Sequence, residues 1–220
     1  MIQPQKGDSP ESLLLPLAEK AYIAIKKMIL ENDLKPGDQV NVAQLCHLLS
    51  IGRSPIHQAI HRLDREGLVA ILPRKGILIK AETIDSFLNL IDARLLVEPY
   101  LTGEAMQRMT PEFLDKLKKI VQIGRQCAQN NDHQGSSMEV DRLFHQTLYE
   151  AANNELLANF ASQLLDRSMR LWFRTYTPGA ENPNIHELEA LYETIASADR
   201  EAAVEMMEQH ITSIRTKVFP

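Results

Sequence analysis

The sequence predicts a mainly α fold in two parts, a small head of three helices and a β-hairpin followed by an all-α bundle of about six helices. Apolar residues recur at helical spacing through most of the 220 residues, whereas β-type runs occur only between residues 68 and 79. The charged residues are also distributed differently in the two parts. Residues 1–80 hold 11 Lys and Arg against 8 Asp and Glu, and residues 81–220 hold 13 against 21. The head is therefore the basic part of a chain whose net charge is −5.

The head follows an arm of little periodicity. Residues 1–16 contain three prolines and a glycine, and we expect this arm to be flexible. Apolar residues at helical spacing then predict a first helix over residues 17–31. A turn over residues 35–38 follows, and Asn41 can cap a second helix that runs to about Leu49.

A third helix is predicted after a break at residues 50–52. Ser54 is a good N-cap residue, and Pro55 suits the first position of a helix. Gly67 is expected to end this helix after Glu66. The second and third helices are thus short and joined by a tight turn.

Two β-type runs come next, over residues 68–72 and 77–79. The four residues between them, Pro73-Arg74-Lys75-Gly76, are typical of a hairpin tip. Three helices followed by such a hairpin predict a winged helix-turn-helix. In that arrangement the third helix enters the major groove of DNA while the basic tip meets phosphates or the minor groove.

Several spaced motifs of the head resemble the N-terminal domain of GntR-family bacterial transcription regulators. They are Leu34-Lys-Pro-Gly-Asp38, Ile51-Gly-Arg-Ser-Pro-Ile-His-Gln-Ala-Ile60, Arg62-Leu63, Glu66-Gly-Leu-Val69 and Arg74-Lys-Gly76. The resemblance covers residues 17–80 and implies a double-stranded DNA operator as the partner. The residues expected to contact that DNA are Arg53, Ser54, His57, Gln58, Arg62, Arg74, Lys75 and Gly76.

The head departs from the family pattern at two places. Gly52 stands where the family usually has Ser, and His57-Gln58 stands where it usually has Arg-Glu. Because His and Gln offer different groove contacts from Arg, we expect a shifted base preference with Arg53 still anchoring a phosphate. Arg62 is also compatible with an ordinary solvated charge.

Strand patterns disappear after residue 81, and helical patterns fill the rest of the chain. The predicted helices span residues 82–109, 111–131, 136–151, 154–176, 184–197 and 199–218. Short breaks between them fit a helical bundle. Pro99 falls inside the first of these helices and suggests a kink.

Asp141 and His145 are the most informative polar pair in this bundle. They are four residues apart, so they project from one face of a helix, together with Phe144 and Leu148. A carboxylate and an imidazole on an inward face need partners or a metal. His186 and His210, on later helices, are the candidates, although the neighbours of His186 define a face partly turned away from it.

The bundle also resembles the FCD effector-binding domain of the FadR-type branch, and six helices suggest its VanR-like group. The motifs are Arg94-Leu-Leu-Val-Glu98, Asp141-Arg-Leu-Phe-His145, His186 and His210. The resemblance implies that Asp141, His145, His186 and His210 hold a divalent metal beneath a pocket for a small carboxylate. Three imidazoles and one carboxylate suit Zn, Ni or Mn. The arginines expected to bind the effector are Arg94, Arg170 and Arg174.

We therefore expect a homodimeric transcription regulator, dimerised through the bundle, in which an effector relieves repression. One alternative is a metal-dependent hydrolase or lyase that uses the same Asp and His residues, although the sequence offers no HExxH-type general base. The other is a regulator whose polar cluster binds no metal. The absence of a long apolar run and of a signal peptide predicts a cytoplasmic protein.

Overall fold

The computed structural model divides the chain into two compact units, the first ending at Ala81 and the second beginning at Glu82. The predicted arm lies outside the described residues, apart from its last two. Backbone is described for residues 15–129, 135–175 and 184–218, and side chains for residues 15–129, 138–169 and 185–215. Within these ranges the predicted mainly α fold is confirmed.

The first unit contains three helices and a small antiparallel sheet. The elements are α1 (Leu17–Leu30), β1 (Gln39–Val40), α2 (Val42–Leu49), α3 (Arg53–Arg65), β2 (Val69–Leu72) and β3 (Gly76–Ile79). The strand order is β1-β3-β2, with Val69 opposite Ile79 and Gln39 opposite Leu78. The sequence did not predict β1, because two residues between a turn and a helix cap are too short to show an alternating pattern.

The helices of the head pack through one apolar core. Ala21 and Ile25 of α1 and Ile56 and Leu63 of α3 are completely buried. Spacings of four residues in α1 and seven residues in α3 place each pair on one helix face.

A side-chain cap is present at the start of α2 but not at the start of α3. The predicted cap at Asn41 is present as a capping box, in which Asn41 Oδ1 accepts from the Gln44 N–H at 2.9 Å and Gln44 Oε1 accepts from the Asn41 N–H at 2.8 Å. The prediction that Ser54 caps α3 was wrong. The N-cap residue is Gly52, and it makes no side-chain cap. The first N–H groups of α3 therefore lack an intramolecular side-chain acceptor at the cap.

Gly76 sets the close approach of the hairpin to β1. Its φ is +99°, and a Cβ atom built there would lie 2.7 Å from the carbonyl oxygen of Val40. Both the left-handed backbone and this contact exclude a side chain.

The second unit contains six helices in the described residues, as predicted. They are α4 (Ile84–Gln107), α5 (Pro111–Gln129), α6 (Gly135–Ala152), α7 (Glu155–Thr175), α8 (Asn184–Ala196) and α9 (Arg200–Val218). Helix α4 packs against α6, α7 and α9, so it lies at the centre of the bundle. It runs unbroken through Pro99, which is buried. No helix in the described ranges is long and apolar enough to cross a membrane.

The tight contact at Gly76 can be tested against a second glycine of similar conformation. Gly37 has a φ of +93° but no atom within 4 Å of a built Cβ. We expect Gly37→Ala to cost about 1 kcal/mol of stability through backbone strain, and Gly76→Ala at least about 1 kcal/mol more, because the added methyl meets the backbone of Val40. Urea unfolding of the full chain, with hydrogen exchange at the β3 amides, measures the stability of both variants. Equal losses of stability would show that the contact of Gly76 with Val40 has no effect.

Candidate functional site

The outer face of α3 is polar and carries positive charge. Its solvent-exposed side chains are Arg53, Ser54, His57, Gln58, His61 and Arg65. Their spacing of three and four residues forms one stripe, opposite the buried apolar stripe of the same helix. His61 and Arg65 were not assigned a role from the sequence, although their spacing from His57 indicated the same face.

Arg62 lies at the edge of this exposed stripe and contacts α1. Its Nη1 atom is 2.8 Å from Glu19 Oε2, and its Nε atom is 3.3 Å from Glu66 Oε1. The guanidinium carbon also lies 3.5 Å from the centre of the Tyr22 ring. These contacts give Arg62 a role in holding α1 against α3, and its expected contact with DNA stays a prediction.

The hairpin tip presents two cationic side chains. Arg74 and Lys75 are both exposed. Arg74 adopts a left-handed backbone with φ of +63°, and the Lys75 N–H donates to the carbonyl of Leu72 at 3.1 Å. The tip is thus a hydrogen-bonded turn that holds two cations at the end of the wing.

A second candidate site is buried in the bundle, where α6 and α9 meet. Asp141, His145 and His210 have at most 3% of their surface exposed. The two Nε2 atoms of His145 and His210 are 3.2 Å apart. Asp141 Oδ1 lies 3.4 Å from Nε2 of His210 and 3.8 Å from Nε2 of His145. Three ligand atoms therefore converge on one point, and their geometry suits a metal ion.

Two glutamates contact the other ring nitrogens. Glu187 Oε2 is 2.9 Å from His210 Nδ1, at hydrogen-bonding distance. Glu98 Oε2 is 2.7 Å from His145 Nδ1, although the ring N–H is not aligned well enough to make a hydrogen bond. Because a nitrogen lone pair facing a carboxylate would be repelled, we assign the proton of each neutral imidazole to Nδ1.

This tautomer leaves three electron-rich atoms facing each other. With the protons on Nδ1, the Nε2 lone pairs of both histidines face each other and the carboxylate of Asp141. Such an arrangement is repulsive unless a proton or a metal cation sits among the three atoms.

The pKa values of the site respond to the same charges. Burial alone would raise the pKa of Asp141, but the neighbouring imidazoles of His145 and His210, with Arg94, lower it to about 2. Burial alone would lower the pKa of His210, but Asp141 and Glu187 raise it. The first shift favours the ionised carboxylate of Asp141 and the second favours the protonated imidazole of His210, so both reflect attraction between these groups.

Arg94 is committed to an internal ion pair. Its side chain is 1% exposed, and its Nε atom lies 2.5 Å from Glu98 Oε1. Its Nη2 atom also donates to Glu98 Oε2 at 3.2 Å. Glu98 thus occupies the Nε–Nη2 edge of the guanidinium, one of two edges that could bind a carboxylate, and the predicted effector role of Arg94 stays a prediction. The side chains of Arg170 and Arg174, the other two candidates, lie outside the described residues.

His186 does not join the buried cluster. Its side chain is 78% exposed, and its Nδ1 atom is 3.5 Å from Glu189 on the outer side of α8. The buried face of this helix is formed by Ile185, Leu188 and Leu191. His186 is 100° from Ile185 and 200° from Leu188, so packing of the apolar residues turns the imidazole away. The expectation that His186 is a metal ligand is therefore corrected.

The sequence did not indicate that Glu98 and Glu187 contact the histidines. Glu98 is four residues after Arg94, a spacing that permits an ion pair along α4. Glu187 directly follows His186, and no motif singled it out. Its role depends on the packing of α8 against α9, which the sequence pattern alone does not specify.

Comparison with known proteins identifies both units. Residues 17–79 match the gntR family of bacterial regulatory proteins, and residues 89–213 match the FCD domain. The chain belongs to the GntR family and carries an FCD domain.

Individual relatives match this chain over most of its length. The Bacillus subtilis HTH-type transcriptional regulator YdhC is 25% identical over 191 residues, covering 86% of this chain and 84% of the relative. The Escherichia coli HTH-type transcriptional repressor GlaR is 21% identical, and the match covers 86% of this chain and 90% of GlaR. Among solved structures, E. coli McbR/YncC superposes with a TM-score of 0.80 at 19% identity, covering 92% of this chain and 99% of that one.

This GntR-family protein is accordingly a DNA-binding transcriptional regulator. The family and the relatives are regulators and not enzymes, so the hydrolase or lyase alternative is set aside. The exposed stripe of α3 and the basic hairpin tip belong to the DNA-binding unit.

Arg53 and Arg62 provide a paired test of the DNA-binding face. We expect Arg53→Ala to weaken binding and to reduce the slope of log K against log salt by about 1, since one phosphate contact is lost. Arg62→Ala should leave the slope unchanged and lower stability by about 1 kcal/mol, because its partners are Glu19, Glu66 and Tyr22.

Gel shifts at several salt concentrations, on a DNA fragment selected in vitro by the wild-type protein, measure the slopes, and urea unfolding measures stability. A reduced slope in Arg62→Ala would support that residue as a phosphate contact. An unchanged slope in Arg53→Ala would remove Arg53 from the DNA-binding face.

Proposed function

We propose that this regulator is a homodimeric repressor whose operator binding is controlled by a small organic acid at a metal site in the FCD domain. The observation that carries the proposal is the convergence of Asp141 Oδ1 with the Nε2 atoms of His145 and His210. Each imidazole is backed at Nδ1 by a carboxylate, an arrangement typical of histidines that bind metals.

The distances between these atoms fit a divalent metal. Bonds of about 2.1 Å from a tetrahedral ion would separate the ligand atoms by about 3.4 Å. The three separations are 3.2, 3.4 and 3.8 Å. Asp141, His145 and His210 would therefore hold the ion with little rearrangement. Two imidazoles and one carboxylate suit Zn, Ni or Mn better than Ca or Mg.

The buried charges support the same conclusion. The carboxylates of Glu98 and Asp141 are buried beside the two imidazoles, and the partly exposed carboxylate of Glu187 contacts His210. Arg94 pairs with Glu98. Carboxylates gathered around a pair of imidazoles favour a bound cation.

Three protein ligands leave room for an effector. A tetrahedral metal would have one further position and an octahedral metal three, and carboxylate oxygens are suitable ligands for either. The bound ion would act as a Lewis acid that attracts the acid group of the effector. Because Arg94 is paired with Glu98, we propose that the ion, and not Arg94, is the main anchor for that group.

Exposed apolar residues on two packed helices support dimerisation through the FCD domain. On α4, Leu96 is 80% exposed and Tyr100 is 51% exposed. On α7, which packs against α4, Leu156 is 83% exposed and Phe160 is 46% exposed. A second copy of the chain would bury these side chains and supply the second head that a two-half-site operator requires.

Control would operate by a shift between two conformations of the dimer. An effector that prefers the conformation with lower DNA affinity releases the operator, and by reciprocity DNA weakens effector binding by the same factor. Repression is the sense supported by the relatives GlaR and NanR, both of which are named repressors. Such a regulator acts on DNA in the cytoplasm.

Metal content tests the site directly. Protein purified without an affinity tag should contain one divalent metal ion per chain. We expect His145→Ala and His210→Ala to lose it, because each removes a converging nitrogen. His186→Ala is the matched control and should retain the ion, since this imidazole is 78% exposed and points away.

Elemental analysis of the four proteins after gel filtration makes the measurement. Metal-free wild-type protein that cannot be loaded with Zn, Ni or Mn would contradict the proposal. Loss of the ion in His186→Ala would instead support a four-ligand site.

The effector is tested on metal-loaded and metal-free protein in parallel. In a thermal-shift screen of small organic acids, we expect at least one acid to raise the Tm of the metal-loaded protein only. The same acid should weaken its binding to the selected DNA in gel shifts. An acid that acts equally on both forms would contradict anchoring at the ion.

A further inference from the structure

Glu187, the neighbour of His186 in the sequence, contacts His210 on the side of the ring away from the proposed ion. Its Oε2 atom lies 2.9 Å from His210 Nδ1, and the hydroxyl of Ser213 donates to the same oxygen at 3.0 Å. We infer that Glu187 is the positioning residue of the metal site, acting through His210 without being a ligand itself. This inference rests on the function proposed above.

The geometry separates Glu187 from the metal position. The two nitrogens of an imidazole project from opposite sides of the ring. Nδ1 of His210 faces Glu187, whereas its Nε2 faces Asp141 at 3.4 Å and His145 at 3.2 Å. An oxygen hydrogen-bonded to Nδ1 is therefore on the wrong side of the ring to bind an ion held at Nε2.

The contact selects the tautomer that can bind a metal. A carboxylate at Nδ1 holds the proton on that nitrogen, which leaves the Nε2 lone pair free for the ion. It also fixes the orientation of the ring and raises the electron density at Nε2. Without Glu187, His210 could carry its proton on Nε2, and that form cannot be a ligand.

Glu98 makes the corresponding contact to His145 but is harder to test. Its side chain is fully buried and paired with the buried guanidinium of Arg94. Replacing it would leave Arg94 as an unpaired buried charge and destabilise the fold. The side chain of Glu187 is 27% exposed, and one of its hydrogen-bond donors is the neutral hydroxyl of Ser213. Glu187 can therefore be replaced at much lower cost to folding.

Metal affinity is the first measurement. Full-length protein is stripped of metal, and Zn²⁺ binding is followed by competition with a chromophoric chelator. We expect Glu187→Ala to bind Zn²⁺ 10- to 100-fold more weakly, roughly the effect typical of losing such a partner. Glu187→Gln should lose less, because its amide oxygen can still accept from Nδ1–H.

A spectroscopic measurement separates positioning from a general loss of stability. In Co²⁺-loaded protein, the Nδ1–H proton of a bound histidine gives a strongly shifted NMR resonance that exchanges with water. We expect the His210 resonance to disappear in Glu187→Ala through faster exchange and to return in Glu187→Gln. A purely structural role for Glu187 would not produce this pattern.

Glu189→Gln is the matched control, since Glu189 lies on the same helix but pairs with Arg125 on the outer side. It should leave both the Zn²⁺ affinity and the resonance unchanged. Wild-type affinity and an unchanged resonance in Glu187→Ala would overturn this inference while the metal site remained supported. Wild-type protein that bound neither Zn²⁺ nor Co²⁺ would overturn the metal site and the inference together.

Discussion

The buried negative charge around Asp141 is the constraint on which the FCD domain of this regulator depends. Three carboxylates approach two histidines, those of Glu98 and Asp141 buried and that of Glu187 partly exposed, and Arg94 pairs with Glu98. Burying carboxylates is costly unless positive charge or hydrogen-bond donors lie beside them. A bound cation would link α6 and α9 through Asp141, His145 and His210, so the charge that is costly to bury also makes the cluster a candidate sensor site.

In the DNA-binding head, the short helix α3 must both pack against the core and face DNA. The inner stripe of α3 fills the core of the unit, and the outer stripe begins with Arg53 at an N terminus that has no side-chain cap. Arg62 lies between the two stripes and holds α1 through Glu19 and the Tyr22 ring. Charge on a DNA-binding helix thus serves the scaffold as well as the partner, and only the contacts distinguish the two roles.

Much of the fold could be predicted because it follows from local patterns. The six helices of the FCD domain were placed within about two residues by apolar periodicity and by breaks at Pro, Gly and Asn. The inward direction of Asp141 and His145 followed from their spacing beside Phe144, which is completely buried. Strand β1 was not predicted, because its two residues form a strand only by pairing with β3.

The sequence by itself determined the two units, the winged head and the presence of Asp141, His145 and His210 on inward faces, because each is a property of one helix or one motif. Tertiary structure alone decided which residues meet across helices. The rotation of α8, set by its apolar face, excluded His186 and brought Glu187 to His210. Periodicity specifies which side of a helix is buried, but it does not specify the partner on the neighbouring helix, and the proposed metal site depends on that partner.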